Sequence, residues 1–486
     1  MLQHRGLFDR IIGERVDLVH RRLILGVVSI VSIGAIENLG VSTALPLAER
    51  ALGHLGLYGW VFSSFTLAML VGGVVLGGIA DRHRPTRSLI AGLVIFSLGL
   101  GTAGLAPSML VVVVGRSIQG FGAGGSLVIS YIVVNRYFGP AVRPKLLAIF
   151  ATTWIVPSFI APPLAGYVAQ QTSWRLVILG IIPFTLAAGS VAFRSLRQIE
   201  SQEEQAQSKE RDEPAIESLD PVDADRSLVI SGLIAASVSI GLALTIAGFS
   251  THGTIRTLLL SVGLVVTMVS VALLVHRVTV IDRRSFVGTL LLRATISCAF
   301  FWIEPLLPLL LYRGKHLPIA LAGLVLTSSS ISWSGGSWLQ GHRLGSLSTV
   351  QKVMLGTVVE AVGLVILMVD FLSPGLSGWY SELAWFLAGG GVGITYPAVT
   401  LLALGHAPLR SEGSISSVVQ IFDAMGSSLG VGILGALVAA SSVGSVAGTA
   451  YAAIGHRFAL GVVGALGVLV LSFGLAVSLR RTSITS

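Results

Sequence analysis

The chain has 486 residues, of which 53% are hydrophobic and 11% charged, with a formal net charge of +9. So apolar a composition leaves almost no sequence for a soluble catalytic domain and puts any functional site between helices, inside a bilayer. The positive charge does not indicate nucleic acid, because the basic residues are spread along the chain at the ends of apolar stretches.

A stretch of roughly 20 apolar residues crosses a hydrocarbon core as a helix, where unpaired backbone is not tolerated. Fourteen such spans are predicted, near 22–46, 55–80, 87–107, 109–136, 146–168, 172–193, 227–249, 255–278, 285–312, 317–338, 347–370, 378–405, 413–441 and 454–480. Of the 32 Lys and Arg residues, only Arg50, Arg175, Arg256, Arg313, Lys315 and Arg457 then fall outside the cell, and Arg116 and Arg293 lie within spans. This positive-inside asymmetry predicts an even number of spans and two cytoplasmic termini. The first span is too long for a cleavable signal. Cys298 is the single cysteine, so no intramolecular disulfide forms.

In chain order, 1–21 reads as a cytoplasmic tail and 22–193 as a six-helix bundle. Span 1 carries Glu37 in the run Ala35 to Pro46. A carboxyl in hydrocarbon must find a partner or hold a proton, which suits it to ion coupling or to a cationic substrate. After span 2, Gly77, Asp81, Arg82, Arg84 and Arg87 compress one acid and several bases into a turn. Such a cluster can pair with a helix N-terminus and latch two bundles together. Span 4 contains Arg116, followed by Gly120, Gly122 and Gly124. An intramembrane Arg is costly enough that it should face protein or water. Span 5 holds Pro157, Pro162, Pro163 and Gly166, and a proline pair predicts a bent, gating helix.

The segment 194–226 is crowded with acids and reads as an unstructured cytoplasmic linker, and 227–278 as an inserted helix pair. A second bundle, 285–480, precedes a short tail, 481–486. Gly389, Gly391 and Gly393 repeat the spacing of Gly120, Gly122 and Gly124 at one common offset, which also carries Gly166 onto Gly435 and Glu37 near Glu304. Two six-span halves in parallel repeat are therefore expected. Most of these glycines read as packing positions. Arg293 and Glu304 are predicted on one helix face about 16 Å apart along the axis, lining one path. Asp423 in span 13 is expected at the central cavity, and Glu360 in span 11 reads equally well as structural or functional.

These motifs resemble the major facilitator superfamily, and in particular its fourteen-span drug:proton antiporter branch. Gly77, Asp81 and Arg82 match the signature between spans 2 and 3, with Arg87 as the later base and Arg84 standing where the family has its second glycine. Arg116 and its glycines match the span-4 motif, whose Arg is associated with proton transfer. Ala44-Leu45-Pro46, Trp174-Arg175 and the proline-rich span 5 fit that branch, with Ala161 and Ala165 replacing two expected glycines. The resemblance implies an all-α integral membrane protein of two six-helix bundles plus two extra spans, exchanging protons for amphipathic or cationic small molecules by alternating access. It implies a bacterial inner membrane, a small-molecule substrate, protons and lipid as partners, no nucleic acid, and a monomer. In that scheme Glu37, Glu304 and Asp423 are shared by proton and substrate.

The alternative within transport is a dedicated exporter or importer of one metabolite. No cofactor is expected: metal-ligand spacing and a phosphate-binding glycine loop are absent from the sequence. A membrane enzyme would need a convergent nucleophile and base, and a scaffold would need a folded soluble module; neither is found.

Overall fold

The computed structural model describes residues 17–139, 142–209, 221–278, 280–373, 378–406, 412–439 and 450–485. Among them every regular element is helical: α1 Leu18–Leu52, α2 Tyr58–Arg82, α3 Pro85–Gly104, α4 Met109–Tyr137, α5 Arg143–Thr152, α6 Ile155–Gln171, α7 Trp174–Leu179, α8 Ile181–Lys209, α9 Pro221–Phe249, α10 Gly253–His276, α11 Arg283–Ile303, α12 Leu307–Gly314, α13 Ile319–His342, α14 Thr349–Leu372, α15 Trp379–Leu404, α16 Glu412–Ala439 and α17 Ala450–Thr485. Gly53 and His54 adopt positive φ of 72° and 62°, which reverses the chain between α1 and α2.

The protein is a multi-pass membrane protein. Among the described residues, twelve helical segments are long and apolar enough to cross a bilayer. The two predicted spans outside that set are helical but differ in kind. Residues 146–168 fall into α5 and α6 with a break at Thr153 and Trp154, and α13 carries a run of serines and glycines from Ser328 to Ser337. The break lies upstream of Pro162 and Pro163, through which α6 continues as one helix. A second break divides the span 285–312, where a 3-10 turn from Glu304 to Leu306 separates α11 from α12. Pro305 and Pro308 supply no backbone donor there.

The acidic segment 194–226 is corrected in part. Residues 194–209 extend α8, and 221–226 open α9. Glu200 is buried and accepts from the Thr86 backbone N at 3.2 Å and the Thr86 hydroxyl at 2.7 Å, while Glu204 pairs with Arg84. The acids hold a helix because the basic turn after α2 lies beside them.

Glycines set the closest crossings. A Cβ on Gly120 would lie 2.1 Å from the Phe65 carbonyl oxygen of α2, and one on Gly122 would lie 2.4 Å from the Gly92 oxygen of α3. Their repeat partners do the same in the second half: Gly389 meets Ser329 of α13 at 2.4 Å, and Gly391 meets Gly356 of α14 at 2.5 Å. Between the halves, Gly166 of α6 abuts Ala320 of α13, and Gly435 of α16 abuts Gly59 of α2. The offset read in the sequence thus marks matching contacts. Helix α9 docks against α2, where the Ser239 hydroxyl donates to the Leu67 carbonyl at 3.0 Å, and against α16, where Ile246 fills the space beside Gly432.

Contacts between the halves run from mid-level to the end where α1 stops and α2 starts. The Thr327 hydroxyl donates to the Ser158 carbonyl at 2.7 Å and the Ser63 hydroxyl to the Ser428 carbonyl at 3.1 Å. Farthest out, Arg313 pairs with Glu49, and Arg50 Nη1 donates to the Tyr312 hydroxyl at 2.7 Å.

Candidate functional site: two arginine–carboxylate pairs

Two arginines predicted inside spans each have a carboxylate partner from another helix. In the first half, Arg116 of α4 pairs with Glu37 of α1, and their side chains are 1% and 0% exposed. Arg116 Nη1 also donates to Gln119 Oε1 at 2.9 Å and Nε to the Val61 carbonyl at 3.3 Å. Its guanidinium lies 4.1 Å from the centroid of the Phe65 ring. Two atoms are left over: Glu37 Oε2 and Gln119 Nε2 are buried without a hydrogen-bond partner. A buried charge is tolerated only when paired and bonded, and the arginine's planar fork lets it satisfy three acceptors at once.

In the second half, Arg293 Nε of α11 donates to Asp423 Oδ1 of α16 at 2.8 Å, and the guanidinium sits 3.5 Å from the centroid of Tyr396 of α15. The Ser297 hydroxyl, one turn along α11, reaches both Asp423 and the Tyr396 hydroxyl, the latter at 2.8 Å. Trp333 of α13 meets Tyr396 edge-on at 4.8 Å. The Asp423 side chain is 22% exposed, against 0% for Glu37, so this pair is the less enclosed of the two.

The expected Arg293–Glu304 path is not what the helices build. Glu304 lies in the 3-10 turn beyond the end of α11 and, among the described residues, has no hydrogen bond or ion pair. Arg293 turns sideways to Asp423 instead. Glu37 and Glu304 are both buried, whereas Asp423 is partly exposed. Glu360 is fully buried against α15, and neither of its oxygens is bonded.

Of the turn residues, Asp81 is exposed at the end of α2, and no hydrogen bond or ion pair links it to the second half among the described residues. Arg84 and Thr86, not Arg87, anchor the turn. Gly77 packs against Val128 of α4. Pro157 lies in the first turn of α6, beside Ser158, whose carbonyl accepts from Thr327.

Sequence reasoning missed Gln119, Phe65, Ser297 and Tyr396. Gln119 and Ser297 carried a signal, standing three residues after Arg116 and four after Arg293 and therefore on the same helix faces. The others come from helices whose approach no local pattern encodes.

Residues 24–431 match the family model described as the Major Facilitator Superfamily. Among curated proteins, a 165-residue stretch is 28% identical to the multidrug efflux pump SdrM of Staphylococcus aureus (strain N315), covering 34% of this chain and 37% of that protein. The multidrug resistance protein Stp of Mycobacterium tuberculosis (strain CDC 1551 / Oshkosh) is 28% identical over 431 residues, covering 83% of this chain and 73% of its own length. Among solved structures, an inward-facing, unoccupied bacterial homolog to the human lysosomal transporter Spinster superposes with a TM-score of 0.67 at 12% identity, over 97% of this chain and 99% of that one.

Proposed function

This chain belongs to the Major Facilitator Superfamily and is a membrane transporter, not an enzyme, and from that premise we propose that it exports amphipathic or cationic small molecules in exchange for protons. Its relatives' names, as multidrug efflux and resistance proteins, supply the substrate class. The observation that carries the coupling is the Glu37–Arg116 pair, an ion pair closed to water inside the first half. Protonating Glu37 leaves Arg116 as an uncompensated buried cation, which the protein must relieve by rearranging. The Arg293–Asp423 pair offers the same chemistry with an exposed edge, so proton and substrate meet there first.

In this reading the chain crosses a bacterial inner membrane fourteen times, with both termini cytoplasmic and residues 22–193 and 285–480 rocking as two bundles about α9 and α10. The contacts from Thr327–Ser158 out to Arg313–Glu49 close the outer end. The turn holding Asp81, Arg82 and Arg87 latches the opposite end when the cycle reverses, and α6 flexes at its upstream break. The test is dye accumulation in inside-out vesicles. Collapse of the pH gradient is expected to stop it, and Glu37→Gln to abolish it. Accumulation that ignores the gradient, together with a Glu37→Gln variant that behaves as wild type, overturns the coupling.

A further inference from the structure

The inserted pair α9–α10 covers the seam where the two halves meet. Leu67 of α2 shares one apolar cluster with Val238, Leu242 and Ile246 of α9, and Met425 and Leu429 of α16 pack against it. Those three α9 side chains are buried, while Leu233 and Ile240 on its other side are exposed. The seam beneath carries the Ser63–Ser428 bond and the Gly59–Gly435 contact. Rocking of the halves therefore moves α2 and α16 past each other under α9.

The two sides of the seam grip α9 differently. On the α16 side the fit is a knob in a notch. A Cβ built on Gly432 would lie 2.7 Å from side-chain carbons of Ile246, so the missing side chain is what seats the isoleucine. The second half also holds the other end of the pair. Val275 and Val278 of that end are buried in a cluster with Phe286, Ile415 and Phe422, and the Ile281 backbone N donates to the His406 carbonyl at 3.2 Å. Within the pair, Gly241 and Gly263 bring the legs close, and the Ser270 hydroxyl donates to that of Ser237 at 2.8 Å, so the legs move as one.

The α2 side is smoother. A Cβ built on Gly232 would lie 3.4 Å from a Val75 methyl, an ordinary van der Waals contact. The Ser239 hydroxyl donates to the Leu67 carbonyl at 3.0 Å. That carbonyl belongs to the α2 ladder as well, so breaking the bond leaves no orphaned acceptor on α2.

We propose that the α9–α10 pair is a sealing strap carried by the second half: it travels with α16, α2 slides along it as the halves rock, and the Ser239–Leu67 bond is the catch that favours the closed outer end. The inference rests on the alternating-access reading, but not on protons or on the substrate.

The test fastens the strap to one side at a time, in the full chain carrying Cys298→Ala. Ile246→Cys/Gly432→Cys bridges α9 to α16, and Gly232→Cys/Val75→Cys bridges α9 to α2; both pairs stand within disulfide reach. Dye accumulation in inside-out vesicles should survive the first bridge. The second should abolish it, and a reductant should restore it, which also shows that the variant folds. The reverse pattern overturns the proposal, as do two harmless bridges or two blocking ones. A second readout needs no gradient. Non-cysteine spin labels at His54 and His316, with Glu49→Gln loosening the outer end, should report two distances in the reduced proteins and in the α9–α16 bridge, but one in the α9–α2 bridge. Ser239→Ala should raise the population of the longer distance about fivefold, the worth of one net hydrogen bond; an unchanged population overturns the catch. A single distance in every reduced protein overturns the sliding. Two distances that obey the bridges, in a protein without gradient-driven accumulation, uphold the strap and overturn proton-coupled export.

Discussion

Arg116 and Glu37 meet across α4 and α1 with 1% and 0% of their side chains exposed, so each charge depends on the other in place of water. Removing one partner strands the other. Arg116→Met is expected to destabilise the protein by about 3–5 kcal/mol, and the double variant Arg116→Met/Glu37→Leu to recover most of that loss, because an apolar pair of similar volume carries no desolvation cost. Unfolding of the purified protein in mixed detergent measures both. A double variant as unstable as the single one would show that packing, not the stranded charge, sets the cost.

Asp423 is held differently. It accepts from Arg293 and Ser297 but keeps 22% of its side chain exposed. Asp423→Asn preserves an acceptor oxygen and removes the charge. Its stability cost should therefore be the smaller one, about 1.5–3 kcal/mol, the range for a hydrogen bond to a charged group. Transport by the variant is expected to lose its dependence on pH while binding of uncharged probes persists. An unchanged pH profile in vesicles would remove Asp423 from the coupling scheme.

What the sequence carried was whatever depends on neighbours in the chain. The apolar runs located the helices, and the glycine offset pointed to contacts that do recur, Gly120 on α2 and Gly389 on α13. At Glu304 the repeat runs out: the same offset places Trp385 where an arginine would correspond to Arg116, and Trp385 stacks on Phe300 at 4.8 Å. Pairing across helices was not legible: Arg293 reaches Asp423 far along the chain because α11 lies against α16. Composition misled at 194–209, which read as unstructured yet extends α8, with Glu200 bonded to Thr86 and Glu204 paired with Arg84.

That acidic face yields its own prediction. Glu200→Ala removes the acceptor for both the backbone N and the hydroxyl of buried Thr86. A cost of about 1–3 kcal/mol is expected for the unsatisfied groups, with faster proteolysis near the end of α8. Glu204→Ala breaks only an exposed pair with Arg84, whose side chains are 55% and 45% exposed, and should change stability little. Equal protease sensitivity in the two variants would contradict this ordering.

Close helix crossing gives a sharper contrast. A Cβ on Gly120 would lie 2.1 Å from a backbone oxygen of α2, which has no freedom to turn aside, whereas one on Gly101 of α3 meets nothing within 4 Å. Gly120→Ala should push α4 from α2 at a cost of about 1–3 kcal/mol. Because Phe65 and Arg116 sit in the same crossing, it should also reduce accumulation. Gly101→Ala should leave both unchanged. Thermal unfolding of the two alanine variants side by side decides the matter.

The outermost contact between the halves is the pair of Glu49, 4% exposed, with Arg313, 34% exposed. It joins the end of α1 to the end of α12, and Arg50 and Tyr312 bridge the same two helices one residue away. Alternating access requires this contact to open, so its strength sets part of the balance between the two end states. Glu49→Gln removes the charge yet keeps the volume, leaving the Arg313 guanidinium free to take solvent. Each 1.4 kcal/mol lost from the closed end is about a tenfold shift in population. Spin labels at His54 and His316, in the turns beside the pair, should report the change as a second, longer distance in Glu49→Gln. Arg313→Gln should give the same distance, since either charge is enough to break the contact. A single unchanged distance in both variants would mean that Gly166 against Ala320 and Gly435 against Gly59 hold the end closed without help from charge.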